Sequence, residues 1–310
     1  MINCRSFLWI FLIGCHSVAG QVPIDSTAVF QIGGIKQVVS LKGNDRSKPI
    51  LLFLHGGPGN SVMHYAQLFT ARLQEHFIVV QWDQRDVGKT LALNRSPVPL
   101  SVRLFEQDTR SIIDTLLKRF NHSKLYLAGH SWGTHLGFYI AKNAPELLHA
   151  YIAICPMISQ MESEKIVLDL MKDKAAKESN AEAIKELAAV KIPFENGTQL
   201  YIHRKWLLKY MGSNAKITKA QVERWAPRWL KLFNEASREN LQVSTPEIRC
   251  PVYFFVGRRD YQTNSRITEN YFQTLTAPKK ELFWFDRSAH SLPTSEPDKL
   301  QKIIIEQVLE

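Results

Sequence analysis

The sequence predicts an α/β architecture: a mostly parallel, eight-stranded sheet with helices on both faces and a helical insertion late in the chain. Three observations lead there. Short, continuously apolar β-type runs alternate with segments of helical periodicity, the pattern of a parallel sheet buried on both faces. The alternation lapses between Pro156 and Pro246, a stretch of roughly ninety residues where a crossover needs far fewer. At Gly129-His130-Ser131-Trp132-Gly133 a serine stands between two glycines, where an apolar run gives way to a helical pattern.

Taken in order, Ala28–Ile32 and Gln37–Leu41 read as opening strands joined across Gly33-Gly34, a hairpin signal. Ile50–Leu54 (ILLFL) and Phe77–Trp82 (FIVVQW) are buried strands flanking a helix over Met63–Gln74. Val102–Phe120 carries Leu104, Ile112, Ile113, Leu116 and Leu117 near helical spacing. Lys124–Ala128 is a strand, Thr134–Asn143 a helix and Ala150–Ile154 a strand; Val252–Val256 and Glu281–Phe285 complete the sheet, and a last helix runs from Pro297 to Val308. Residues 21–155 and 247–310 therefore form the core and residues 156–246 a helical cap. The cap carries helical patterns at Ser163–Lys177 and Ala181–Val190 and the aromatic residues Trp206, Trp225 and Trp229.

The first 20 residues read as an export leader. Arg5 precedes the apolar run Phe7–Ile13, too short to span a bilayer, and Ser17-Val18-Ala19-Gly20 offers small residues for cleavage. This predicts a secreted or periplasmic protein without a transmembrane span. Leu12-Ile13-Gly14-Cys15 also fits a lipobox, which would make Cys15 a lipid anchor and the product an envelope protein. Cys4 and Cys15 leave with the leader if cleavage is at the later site. Cys155 then ends one strand while Cys250 precedes another. Those are opposite sheet edges, roughly 15 Å apart, too far for a disulfide, so two free thiols are expected.

The glycines at 129 and 133 have a physical reason. A strand that turns sharply into a helix brings the two backbones close, and glycine leaves nothing to collide there, while Ser131 at the corner projects its hydroxyl above the sheet. A serine needs a base and a group to orient that base. Asp260 follows the strand Val252–Val256, and His290 follows the strand Glu281–Phe285, in the order serine, acid, histidine. Ser131, Asp260 and His290 are thus the candidate catalytic residues. An oxyanion requires donors; His55-Gly56-Gly57-Pro58-Gly59 follows the strand Ile50–Leu54, so Gly57 N–H and Trp132 N–H are the candidate oxyanion hole.

With HGGPG at 55–59, DQR at 83–85, GHSWG at 129–133 and the later Asp and His, the mature chain resembles the prolyl aminopeptidases (proline iminopeptidases) of the α/β-hydrolase fold. The resemblance implies Ser131, Asp260 and His290 as the triad, Gly57 and Trp132 as the oxyanion hole, and an aminopeptidase that releases a small N-terminal residue such as proline. Asp83 and Arg85 are expected to pair with one another beside the elbow. The chain departs from the family in three places. Asp86 replaces a glycine, His130 stands where the family often has glycine, and no Trp-Glu pair occurs in the cap, where the family holds the substrate's amine. Glu195, Glu223 and Glu235 are candidate substitutes for that role.

The alternative is a carboxylesterase or lactonase acting on small acyl substrates through the same triad under a different cap. A catalytically dead binding protein is disfavoured by the intact triad, and dehalogenases or epoxide hydrolases would need a carboxylate at 131. The net charge of +10 is scattered rather than clustered, which argues against nucleic acid. No cofactor or metal is expected, since no H-E-x-x-H or dinucleotide glycine motif appears.

Overall fold

The computed structural model describes residues 22–211 and 216–309; the leader, Cys4 and Cys15 lie outside them. Strands β1 (Ile24–Ile32) and β2 (Ile35–Gly43) form the expected hairpin, with Gly33 and Gly34 at φ 55° and 81° in the turn. Then come β3 (Ile50–Leu54), α1 (Gln67–Thr70), β4 (Ile78–Asp83), α2 (Gly88–Leu93), α3 (Val102–Phe120), β5 (Leu125–His130), α4 (Trp132–Asn143) and β6 (Leu148–Ile154). The insertion holds α5 (Gln160–Lys177), α6 (Ala181–Ala188), α7 (Gly197–Tyr210), α8 (Lys219–Ala236) and α9 (Leu241–Ser244). The chain returns through β7 (Val252–Gly257), α10 (Ser265–Thr274), β8 (Lys280–Phe285), α11 (Leu292–Ser295) and α12 (Pro297–Ile303). The long helix expected over 63–74 is not continuous: α1 gives way at Ala71 to a 3₁₀ turn, Arg72–Glu75, that seats Leu73 in the core.

The sheet order is β1-β2-β4-β3-β5-β6-β7-β8. Only β1–β2 and β2–β4 pair antiparallel; every later pair is parallel. Strands β3, β4 and β7 are buried at every position, so alternate side chains feed two apolar layers. One layer holds Leu52, Val80, Leu127 and Phe254, the other Leu51, Val79, Ala128 and Phe255. The parallel strands aim their C-terminal ends at one edge, and the loops after β3, β5, β7 and β8 gather there. Cys155 and Cys250 are buried free thiols at opposite ends of β6 and β7, as their places in the sequence imply. Among the described residues no helix is long and apolar enough to cross a membrane.

Candidate active site

Ser131 links β5 to α4 with φ 53° and ψ −120°, a backbone conformation costly for a non-glycine residue. Its N–H donates to Ile154 O at 3.0 Å, and its carbonyl accepts from Thr134 Oγ1 at 2.6 Å. The flanking glycines are required by contact. A Cβ at Gly129 would lie 2.5 Å from Gly133 O, and one at Gly133 would run into the Leu54 carbonyl. The Ser131 side chain ends up close to two other loops.

His290 Nε2 lies 2.9 Å from Ser131 Oγ, and His290 Nδ1 lies 2.9 Å from Asp260 Oδ2. Asp260 is buried and fully engaged. Its Oδ1 accepts from the N–H groups of Gln262 and Thr263 at 2.9 and 3.1 Å, and its Oδ2 accepts from Thr263 Oγ1 at 2.8 Å. Burial pushes the Asp260 carboxyl up, but its electrostatic interaction with the His290 ring and the hydrogen bonds from His290 and Thr263 outweigh it, holding the carboxyl well below the usual carboxylate range. An ionised acceptor on Nδ1–H leaves Nε2 as the ring's lone pair facing the serine.

The HGGPG loop lies against the elbow: a Cβ at Gly56 would sit 3.3 Å from Ser131 Cβ. Gly57 and Gly59 take φ 124° and 92°, open to glycine and costly for other residues. Gln84 ties this loop to the elbow. Its Oε1 accepts from Trp132 Nε1 at 3.0 Å, its Nε2 donates to His55 O at 3.3 Å, and its own N–H donates to His55 Nε2 at 3.3 Å. Burial lowers the His55 pKa, and the neutral ring both accepts from Gln84 and donates from Nδ1 to Gly56 O at 2.8 Å. The backbone N–H groups of Gly57 and Trp132 are thereby set on two braced segments that flank Ser131.

The expected Asp83–Arg85 pair does not form. Arg85 grips Asp108 of α3 through Nε–Oδ2 and Nη2–Oδ1 contacts of 2.9 Å, both side chains fully buried. Asp83 instead accepts from Ser61 Oγ at 2.5 Å and Lys89 N–H at 2.7 Å, bracing the loop after HGGPG. Consecutive alternate residues leaving the end of β4 reach opposite neighbours, which spacing alone does not show. Asp86, at φ 59° where the family has glycine, accepts from Ser96 N–H at 2.7 Å and pairs with Arg228 of the cap.

One face of α8 seats the cap on the HGGPG loop. Trp225 Nε1 donates to Pro58 O at 2.7 Å, and Trp229 leaves no room for a side chain at Gly59. Trp229 also meets Phe105, whose ring touches Trp132 edge-on at 5.6 Å. Between cap and core lies a cleft of about 490 Å³ reaching Gly57 and Gln262, walled by Val222, Trp225 and Phe233 and by the cations Arg204 and Lys216.

Glu195, Glu223 and Glu235 lie elsewhere. All three line a separate groove of about 770 Å³ between the start of α7 and α8. Glu195 pairs with Lys191, Glu223 with Lys219, and Glu235 accepts from Val102 N–H at 3.3 Å. Helix geometry is the reason: residues advance about 100° per position, so the face with Val222, Trp225 and Trp229 turns Glu223 aside. Trp206 is also no wall of the cleft, since its buried Nε1 donates to Glu186 at 2.6 Å. The carboxylate beside the cleft is Glu164 of α5, which the sequence reading did not single out. It is buried and grips Arg204 Nη1 and Nη2 at 2.7 and 2.5 Å. Burial pushes its carboxyl up; the charge and hydrogen bonds of Arg204 prevail and hold it down. Nothing in local sequence marks a pair forty positions apart.

The serine aminopeptidase S33 family matches residues 45–298. The chain is 30% identical over 290 residues to the probable aminopeptidase YbaC of Bacillus subtilis, covering 86% of this chain and 91% of that protein. It is 26% identical to a proline iminopeptidase of Heyndrickxia coagulans, covering 88% and 94%. The crystal structure of a proline iminopeptidase from Mycobacterium smegmatis superposes with a TM-score of 0.63 at 15% identity, covering 91% and 97%. With an eight-stranded sheet of matching architecture, the chain belongs to the serine aminopeptidase S33 family of α/β hydrolases.

Proposed function

We infer that the protein hydrolyses small acyl substrates through an acyl-enzyme on Ser131, and that its first substrates are peptides or amides with a small free N-terminal residue such as proline. The relay Ser131–His290–Asp260, with both contacts at 2.9 Å, carries the reading. His290 Nε2 takes the hydroxyl proton as Oγ attacks the carbonyl carbon. The oxyanion meets the N–H groups of Gly57 and Trp132, donors whose individual loss typically costs about 3–4 kcal/mol of barrier. His290 then protonates the leaving amine, and water repeats the sequence to free the acid. Asp260 keeps Nδ1 protonated and steadies the imidazolium. The aminopeptidase choice is supported by the family and by the names its relatives carry.

A second reading, hydrolysis of esters or lactones, is favoured by the lining of the cleft. Lys216 lines it, Arg204 is already paired with Glu164, and Glu164 would have to release Arg204 to hold an ammonium. Hydrolysis of proline naphthylamide, its N-acetyl form, a short acyl ester and a lactone separates the two. Cleavage of the free-amine amide alone supports the aminopeptidase; equal cleavage of both amides, or far faster ester turnover, replaces it with the esterase. Export is part of the same reading. Mass spectrometry finding a mature start near Gly20 supports simple secretion, a diacylated Cys15 supports an envelope anchor, and an intact Met1 contradicts both.

A further inference from the structure

His130, the residue that departs from the family beside the nucleophile, has no part in the relay. Its ring lies against His290, with centroids 5.2 Å apart, and its Nε2 is 2.9 Å from His290 O. Beneath the same loop is Cys155, a buried residue at φ 46°. Such strained non-glycine backbones cluster at functional sites. Cys155 Sγ is 3.8 Å from Ala289 O. One ligand atom each from His130, Cys155 and His290 lies within 4.8 Å of the others. Two nitrogens or a nitrogen and a sulfur on tetrahedral zinc are roughly 3.3–3.6 Å apart, from bond lengths of about 2.0–2.3 Å, so closure by at most about 1.5 Å completes three ligands. A mostly apolar cavity of about 90 Å³, walled by Phe53, Val62, Phe69 and Ile154, touches His130.

We propose that His130, Cys155 and His290 form an inhibitory site for a thiophilic divalent cation, with zinc the fitting ion. The set of two imidazoles and one thiolate suits zinc or cobalt and leaves one position for water. Burial and the neighbouring His290 hold the His130 pKa down at about 4, so its ring brings a lone pair. Burial, with Asp260 nearby, pushes the Cys155 thiol well up, so the thiol is protonated before metal arrives. Binding forms the metal–sulfur and two metal–nitrogen bonds and releases the thiol proton to solvent. Inhibition follows from either nitrogen of His290. Metal on Nε2 occupies the base; metal on Nδ1 removes the bond to Asp260 and leaves the ring proton on Nε2. Only this effect on rate rests on the proposed hydrolase mechanism; binding itself does not.

The test uses full-length, chelator-treated protein, both wild type and Ser131→Ala, titrated with Co²⁺ and with Zn²⁺. One equivalent of Co²⁺ should produce a thiolate-to-cobalt charge-transfer band in both proteins, absent in Cys155→Ser and with affinity weakened at least about tenfold in His130→Gly. Zn²⁺ should inhibit wild type reversibly with EDTA, and both substitutions should relieve inhibition relative to their own metal-free rates. No charge-transfer band at millimolar Co²⁺, or inhibition unchanged in both variants, overturns the proposal. Should Cys155→Ser fail to fold, His130→Gly carries the test. A band in Ser131→Ala with turnover retained by that variant would keep the metal site and sink the mechanism; loss of turnover without a band would do the reverse.

Discussion

The sheet edge that carries Ser131 and the cap that covers it are built on different rules. At the sheet edge, backbone geometry fixes where the candidate catalytic groups lie. Gly129 and Gly133 clear the crossing of β5 and α4, Gly57 and Gly59 open the loop after β3, and the ends of β7 and β8 place Asp260 and His290. In the cap, pairs of side chains decide what the cleft presents. Arg204 neutralises the buried Glu164 carboxylate, Arg228 meets Asp86, and Trp225 holds Pro58. Chemistry encoded in backbone turns is common to a family, whereas specificity encoded in side-chain pairs changes when one partner changes.

The widest separation between the two regions is predicted at the nucleophile. Ser131→Ala should lower kcat by about 10⁶ with the circular dichroism spectrum and melting transition unchanged. Retention of more than about a hundredth of the wild-type rate, against that expectation, would remove the sheet edge from the chemistry altogether.

The elbow was legible because it needs glycines at fixed offsets and because strand, turn and helix each leave a pattern. Asp260 and His290 were legible for a related reason: each follows a buried strand whose length and apolarity announce its end. The bracing of the site was not. Arg85 was expected on Asp83 yet grips Asp108, and the three candidate glutamates face a groove rather than the cleft. Both depend on which way a side chain leaves its element and what lies across from it. The helix holding Glu223 also holds Val222 and Trp225, so its periodicity could have excluded that glutamate. The Glu164–Arg204 pair and the His130–Cys155–His290 cluster join residues remote in sequence, and no spacing marks them.

A buried pair should matter more to stability than to rate. Removing one partner of Arg85–Asp108, as in Asp108→Ala, strands a charge that is fully buried and is expected to cost about 3–5 kcal/mol, read from the urea midpoint. A loss below about 1 kcal/mol, the range of exposed pairs, would mean the pair is not buried in solution.

Trp225→Phe sharpens the comparison because it keeps the cleft wall and removes only the hydrogen bond to Pro58. A bond of this kind is worth about 0.5–1.5 kcal/mol, so kcat should fall about three- to tenfold with KM little changed if α8 positions the oxyanion loop. A change in KM alone would confine the cap to binding.

A further contrast lies in pH dependence. Burial is the leading cause that lowers the pKa values of His130 and His203 from 6.5 to about 4. Neutral His203 accepts from Arg204 Nη1 at 2.8 Å, which a protonated ring could not. The unfolded chain takes up these protons first. Stability is therefore full above pH 6.5 and falls as pH drops from 6.5 toward 4, by up to about 1.4 kcal/mol per pH unit for each ring. Urea midpoints across that window should fall less steeply in His203→Gln than in wild type; parallel profiles would contradict the assignment for the cap histidine.

The proposed mechanism requires a covalent bond to Ser131. Treatment with a fluorophosphonate, followed by intact-mass measurement and peptide mapping, tests that bond most directly. The expected result is a single adduct per chain on the peptide containing Gly129–Gly133, formed by wild type, absent in Ser131→Ala and strongly slowed in His290→Ala. An adduct on another residue, or one formed equally well without His290, would contradict it.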